Sequence, residues 1–471
     1  MTATADIAVI GLGVMGANLA RNFHSRGWVV AVYNRTTSVL DDFLAEHGDE
    51  RFVRCPTLEE LAAALKGPRK AVLMVTSGRA VDAVLEGLAE HFDANDVMID
   101  GGNSHWPNSD RREAWARDRG LRFVGMGVSG GEEGALLGPS MMPGGDPSVW
   151  PELRGILESA AATSDSGPCV AWCGHRSAGH YVKMVHNGIE YGDMQLIAEV
   201  WSLLTRGMGL SAVDTRDVFQ RWNAGRLSSF LVEITAEIVA ARDPHTGDPL
   251  VHHILDVAGQ KGTGRWTVLD AIEQGIPTPT ITAAVDGRAL SARKAERVAA
   301  EALFGGDAER LEGVSIDDLE QALYASKLMS YTQGFDLLRT ASEARGYDTD
   351  LAEVARIWKA GCIIRASFLD RVHAAYTADP QLPYLCFDEA FVAELRAALP
   401  AWRRVVAAAA RAGLPIPALS TSLAWFDTLR TARGTASLIQ AQRDFFGAHT
   451  YRRHEAPDTP VHSEWSELEQ L

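Results

Sequence analysis

Over the first third of the chain, short apolar runs alternate with longer amphipathic stretches. Asp6–Ile10, Trp28–Asn34, Ala71–Val75, Val97–Asp100 and Arg122–Val124 read as strands, and Ala17–Arg26 reads as a helix. Strands that alternate with helices predict a parallel sheet covered on both faces. Near Gly179 the pattern changes. From there to about residue 433, apolar positions recur with helical spacing in Ala- and Leu-rich sequence. Gly- or Pro-rich breaks fall at 243–249, 259–264, 275–279 and 413–417. The expected organisation is an α/β domain over residues 1–178, a large all-helical domain over 179–433 and a tail over 434–471. The tail interleaves Arg443, His449, Arg452, Arg453 and His454 with Phe445, Phe446 and Tyr451, which suggests burial against another surface such as a second subunit. Within the helical part, Gln195 precedes Trp222-Asn223-Ala224-Gly225 much as Gln333 precedes Trp358-Lys359-Ala360-Gly361, a short echo that reads as a duplicated helical unit or as chance.

Composition narrows the classes. At 471 residues, 46% of them hydrophobic, the chain is too long for one ordinary core. The formal net charge of -16 makes nucleic acid and acidic membranes poor partners. No apolar run approaches the roughly 20 residues that a membrane helix needs, and the first five residues lack the pattern of a signal peptide. Cys55, Cys169, Cys173, Cys362 and Cys386 have no metal-binding spacing, and they fit reduced, buried thiols in a reducing compartment. A cytoplasmic protein without a metal is expected.

The first strand runs into Gly11-Leu12-Gly13-Val14-Met15-Gly16 and then a helix. In that context the glycines permit a tight turn, and the helix N-terminus receives a pyrophosphate, as in a Rossmann-like dinucleotide domain. The end of the second strand carries Asn34-Arg35-Thr36 instead of a carboxylate. A carboxylate would repel a ribose 2′-phosphate and Arg35 would pair with it, so NADP is expected over NAD.

Lys183, His186, Asn187, Glu190 and Tyr191 are spaced by three and four along one helix face, beside an apolar face of Val182, Val185 and Ile189. A solvated helix face with an ion pair is the plain reading. Five different polar types on one face read better as a cleft, where burial lowers a Lys pKa and raises a Glu pKa toward base and acid roles. Gly101-Gly102-Asn103-Ser104 and Gly127-Val128-Ser129-Gly130-Gly131 each follow a strand, where α/β proteins bind ligands. Gly259-Gln260-Lys261-Gly262-Thr263-Gly264 is a second Gly-rich loop. Arg265-Trp266 stands where a phosphate-binding Walker loop needs Lys-Ser/Thr, so the loop is either a carrier of Lys261 toward an anion or a plain turn.

Together the stretches Ile99–Ser104, Gly127–Gly134, Gly179–Tyr191, Ala258–Trp266 and Gln440–Thr450 closely resemble 6-phosphogluconate dehydrogenases of the long, homodimeric type, over nearly the whole chain. The resemblance implies NADP-dependent oxidative decarboxylation of 6-phosphogluconate to ribulose 5-phosphate, with Lys183 as base and Glu190 as acid. It implies substrate contacts at Asn103, Ser129, Gly130, Gly131, His186, Asn187 and Tyr191, and phosphate contacts at Tyr191, Lys261 and Arg288. Arg443 and His449 would come from the tail of the partner in a homodimer with shared active sites. Val75, Thr76, Ser77 and Asn103 would line the cofactor, although Thr76 stands where the family often carries a Lys. Two alternatives remain: a related β-hydroxyacid dehydrogenase, which would lack Glu190, Lys261, Arg288 and the tail, or a non-catalytic NADPH-binding scaffold.

Overall fold

The structure is a computed structural model that describes residues 4–469. Residues 1–3 and 470–471, at the outer ends of the first and third expected segments, lie outside the described residues. The apolar runs become a seven-stranded sheet of β1 (Ile7–Ile10), β2 (Val30–Tyr33), β3 (Phe52–Arg54), β4 (Lys70–Leu73), β5 (Val97–Asp100), β6 (Arg122–Val128) and β7 (Met141–Gly145). Their spatial order is β3-β2-β1-β4-β5-β6-β7. Alternate residues of the strands serve two cores. Ile7, Val9, Val30, Val32, Val72 and Ile99 face one layer of helices. Ala8, Ile10, Ala31, Ala71, Leu73 and Met98 face the other. A strand buried on both faces must be apolar throughout, which is why these read as unbroken runs.

The sheet departs from the all-parallel expectation at one edge. β7 runs antiparallel to β6, with Met126 opposite Pro143. Its sequence, Met-Met-Pro-Gly-Gly, carries no strand signal, and an edge position tolerates a proline that cannot donate to the ladder. β6 also extends to Val128, so Gly127 and Val128 belong to the strand and the loop begins at Ser129. The first helix, Val14–Ser25, begins three residues earlier than Ala17 because Gly13 is its N-cap.

The rest is helical. The helix Ala178–Ser202 packs on β6 and β7 and against the helices Thr263–Glu273, Pro279–Ser291 and Ile316–Arg345. It is buried on nearly every side, so its polar face meets protein and cleft rather than open solvent. Trp222 and Trp358, the two tryptophans of the echo, each end a helix and are fully buried. The chain forms two compact units, one through Ser422 and a second from Leu423 onward. The second unit is ordered: the helix Ala436–Gly447 leads into a hairpin of Tyr451–Arg453 and Ala456–Val461. Asp444 ties it together, accepting from the backbone N–H of Thr450 at 2.8 Å and of Ser463 at 3.1 Å and from Trp465 Nε1 at 2.9 Å. Phe445 and Phe446 are 69% and 73% exposed, so the tail does not bury them within its own unit.

Candidate active site

The order of the sheet reverses between β1 and β4, and the loops beyond the carboxyl ends of β1, β4 and β5 meet there, with Gly11 and Gly102 both against Val75. The glycines of the first loop have separate reasons. A Cβ on Gly11 would lie 2.7 Å from the carbonyl oxygen of Met74, and one on Gly16 would lie 1.9 Å from that of Gly11. A Cβ on Gly13 would meet nothing within 4 Å. No protein packing demands that glycine, and the space it leaves open lies at an uncapped helix N-terminus with no acidic residue in the first turn. Val14, Met15 and Gly16 form that first turn. Such a cradle suits a diphosphate.

Asn34 joins this loop to the next. Its Oδ1 accepts from the backbone N–H of Leu12 at 3.0 Å, and its Nδ2 donates to the carbonyl of Thr36 at 3.0 Å. Asn34 is therefore held by protein, while Arg35 and Thr36 are exposed beside it. At the end of β4, Val75 is half-buried and Thr76 and Ser77 are exposed.

At the end of β5 a buried charge network fixes two loops together. Arg112, 1% exposed, donates to Asp82 at 2.8 Å, to Asp100 at 3.1 Å, to Ser104 at 3.0 Å and to the carbonyl of Gly78 at 2.9 Å. Asp100 in turn accepts from the hydroxyl of Ser104 at 2.6 Å and the N–H of Gly102 at 3.1 Å. The network leaves Asn103 exposed at the crest of the loop. None of this was read from the sequence; only Asp100 at a strand end pointed toward it.

The polar helix face closes the opposite wall. A Cβ on Gly127 of β6 would come within 2.3 Å of Lys183 Cβ, so the glycine makes room for that side chain. Lys183 Nζ lies 3.3 Å from His186 Nδ1, and Ser129 Oγ lies 3.3 Å from His186 Nε2. Asn187 Oδ1 is 3.0 Å from Nδ1 and Glu190 Oε2 is 3.8 Å away from it. The His186 ring meets Trp358 edge-on at 5.5 Å. Gly130 packs against the carbonyl of Gly361, and Gly131 is exposed. Lys183, His186 and Asn187 are buried and Glu190 is partly open. Burial pushes the Lys183 amine below the usual lysine range, against the pull of Glu190. Burial pushes the Glu190 carboxyl up, against Lys183 and Arg288. His186 is held well below its ordinary value by burial and then by Lys183.

Arg288 stacks over the Tyr191 ring at 3.5 Å and donates to the carbonyl of Gly259 at 3.2 Å. The second Gly-rich loop is thereby joined to the helix Pro279–Ser291, and Lys261 stands exposed on it. The stretch is more than a plain turn: Gly262 caps the helix Thr263–Glu273, and Trp266 on that helix stacks on His105 at 4.5 Å, next to Asn103 and Ser104. Arg443 and His449 belong to the second unit, both exposed, with Arg443 held by Gln440 at 3.0 Å. A separate cavity of about 1150 Å³, lined by His175, Arg339, Glu353, His373 and Tyr376 among others, includes none of Lys183, His186, Asn187, Glu190 and Tyr191. Among the described residues no cluster of His, Cys, Asp or Glu could hold a metal.

An amine and a carboxyl with oppositely displaced proton affinities, on a helix face packed against the end of β6, suit coupled proton and hydride transfer. Residues 6–174 match the NAD binding domain of 6-phosphogluconate dehydrogenase, and residues 179–465 match its C-terminal domain. The chain belongs to the 6-phosphogluconate dehydrogenase family. A Schizosaccharomyces pombe 6-phosphogluconate dehydrogenase, decarboxylating, is 47% identical over 98% of this chain and 96% of its own length. One from Cunninghamella elegans is 49% identical over 98% and 97%. The solved structure of the Plasmodium falciparum enzyme, described in apo form and in complex with NADP+ and with 6-phosphogluconate, superposes with a TM-score of 0.94 at 43% identity, covering 98% of this chain and all of that one.

Proposed function

We propose that the chain catalyses the NADP-dependent oxidative decarboxylation of 6-phospho-D-gluconate to D-ribulose 5-phosphate and CO2. Family membership supports the reaction, and the buried Lys183 paired with Glu190 on one helix face is the observation that carries the mechanism. The open cradle at Gly13 and the exposed Arg35 and Thr36 fit the diphosphate and the 2′-phosphate of NADP, with Val75, Thr76, Ser77 and Asn103 along the remainder. When bound, NADP supplies the hydride acceptor.

Lys183, whose burial favours the neutral amine, takes the proton of the substrate 3-hydroxyl as hydride leaves C3. The resulting ketone lies β to the carboxylate, so it can accept the electrons released with CO2, and the ammonium of Lys183 polarises that ketone. Glu190 then donates a proton to C1 of the enediol. His186 is held as neutral imidazole between Ser129 and Asn187, and with Asn103, Gly130 and Gly131 it lines the sugar hydroxyls and carboxylate. Tyr191, Lys261 and Arg288 receive the phosphate.

The dimeric reading extends this proposal. Leu303 and Phe304 are 78% and 87% exposed, Ile254 and Leu255 are 60% and 68% exposed, and an apolar groove is lined by Ile272, Ile276, Pro277 and Leu290. Such surfaces suit a second copy of the chain. In that dimer Arg443 and His449 of the partner subunit would complete the phosphate site. Among the described residues no helix is long and apolar enough to cross a membrane, and a cytoplasmic location fits the reaction. The decisive assay follows NADPH formation and CO2 release from 6-phosphogluconate with NADP and with NAD. Turnover with a preference for NADP is expected, and absence of CO2 with both would refute the proposal.

A further inference from the structure

One ionisable cluster next to Glu190 has no part in the mechanism above. Asp193 lies three residues beyond Glu190 on the same helix, so the two side chains share a face. Asp193 is 1% exposed, and its Oδ2 is paired at 2.5 Å with Nζ of Lys327, itself 1% exposed, on the helix Ile316–Arg345. The Tyr331 hydroxyl donates to the carbonyl of Ile364 at 2.9 Å and leans toward the same Oδ2 at 3.3 Å. The other oxygen, Oδ1, is buried with no hydrogen-bond partner among the described residues.

A buried ion pair with one bare carboxylate oxygen is a poor device for stability. Desolvating both charges costs more than their attraction returns unless every lone pair is satisfied. Its placement suggests another use. Glu190 feels two cations, Lys183 on its own helix and Arg288 from the helix Pro279–Ser291. Both favour the ionised carboxylate, which cannot donate a proton. The conflict sharpens during turnover, because Lys183 becomes fully cationic when it takes the hydroxyl proton, before Glu190 must act. Burial opposes them first at Glu190, and Asp193 is the charge that adds to it; burial also pushes the Asp193 carboxyl up, and Lys327 is the charge that counters this. The other ionisable neighbours of Glu190 are His186 on its own helix, Tyr331, and Cys362 from the segment after the helix Leu351–Ile357. Burial holds all three neutral.

We propose that the buried Asp193–Lys327 pair is a positioning device for the proton donor: Lys327 fixes an anionic Asp193 beside Glu190, and Asp193 keeps the proton on Glu190 while Lys183 is cationic. The inference rests on Glu190 being the acid.

The test compares kcat against pH for the full-length protein, Glu190→Gln and the double variant Asp193→Asn/Lys327→Met, which removes both charges without stranding either. A protonated Glu190 is needed, so kcat falls as pH rises through its value in the complex. Removing Asp193 lowers that value while removing Lys327 partly offsets it, so the falling limb of the double variant should move to lower pH by less than about one unit. Asp193→Asn alone leaves the Lys327 ammonium behind and should move the limb further the same way; it serves where the double variant does not fold. A purely structural role would lower kcat equally at every pH, and a limb that stays in place with either variant overturns the inference. Should Glu190→Gln keep full turnover, the acid assignment itself fails. Should Glu190→Gln lose turnover while the limb of the Asp193 variants stays fixed, only the role of the pair fails.

Discussion

Lys183 is a buried amine whose nearest hydrogen-bonding neighbour is an imidazole. Replacing it by Met removes the base and should lower kcat by about 10²–10⁴-fold, the usual worth of a positioned acid or base, while NADP still binds; fluorescence titration and initial rates check both. The same change should raise the midpoint of thermal unfolding, because burial makes the ammonium less favourable in the folded site than in the unfolded chain. With the Lys183 value lowered and the Glu190 value raised, kcat/KM should climb with pH as Lys183 loses its proton and fall as Glu190 loses its own. A flat profile would contradict both roles. Arg35→Glu should move preference from NADP toward NAD, measured as the ratio of the two kcat/KM values. These residues were legible because helix spacing and a strand-end position are local signals. Asp193 continues the same stripe by three residues, and its meaning was not legible, because Lys327 lies 134 residues away.

At the scale of elements, the strands buried on both faces announced themselves as apolar runs. β3 is three residues long, and β7 is built from Met, Pro and Gly; their strand character comes from neighbours, not from their own pattern. The Arg112 network belongs here too. It joins Gly78, next to Val75–Ser77, to Asp100 and Ser104, next to Asn103. Arg112→Lys keeps a charge but cannot span four acceptors with a planar fork. Hydrogen exchange should quicken in both loops, and KM for NADP and for 6-phosphogluconate should rise together. A rise confined to one of them would show that the loops are held independently.

For the molecule as a whole, the sequence told which residues are polar and which helices carry them, but not that the tail folds on itself. Asp444 is buried, and despite desolvation its carboxyl is held at about 2 by His462, the Ser463 N–H, Trp465 and the Thr450 N–H. Those partners are spread from Thr450 to Trp465, in a stretch with no strong periodic signal. Deleting residues 434–471 should lower affinity for 6-phosphogluconate and weaken the proposed dimer, as read by KM and by sedimentation; an active monomer would refute the proposed shared site.

A tail that is its own folded unit behaves as a prefabricated part, and parts can be exchanged. A Lys183→Met chain still offers an intact arm, and an Arg443→Ala chain still offers an intact catalytic helix. In the proposed dimer, neither chain paired with its own copy should turn over substrate well. Mixed by co-expression, each hybrid would own one complete site assembled from two damaged chains, and random pairing would restore roughly a quarter of wild-type activity. Two inactive alleles would then complement each other within a single gene.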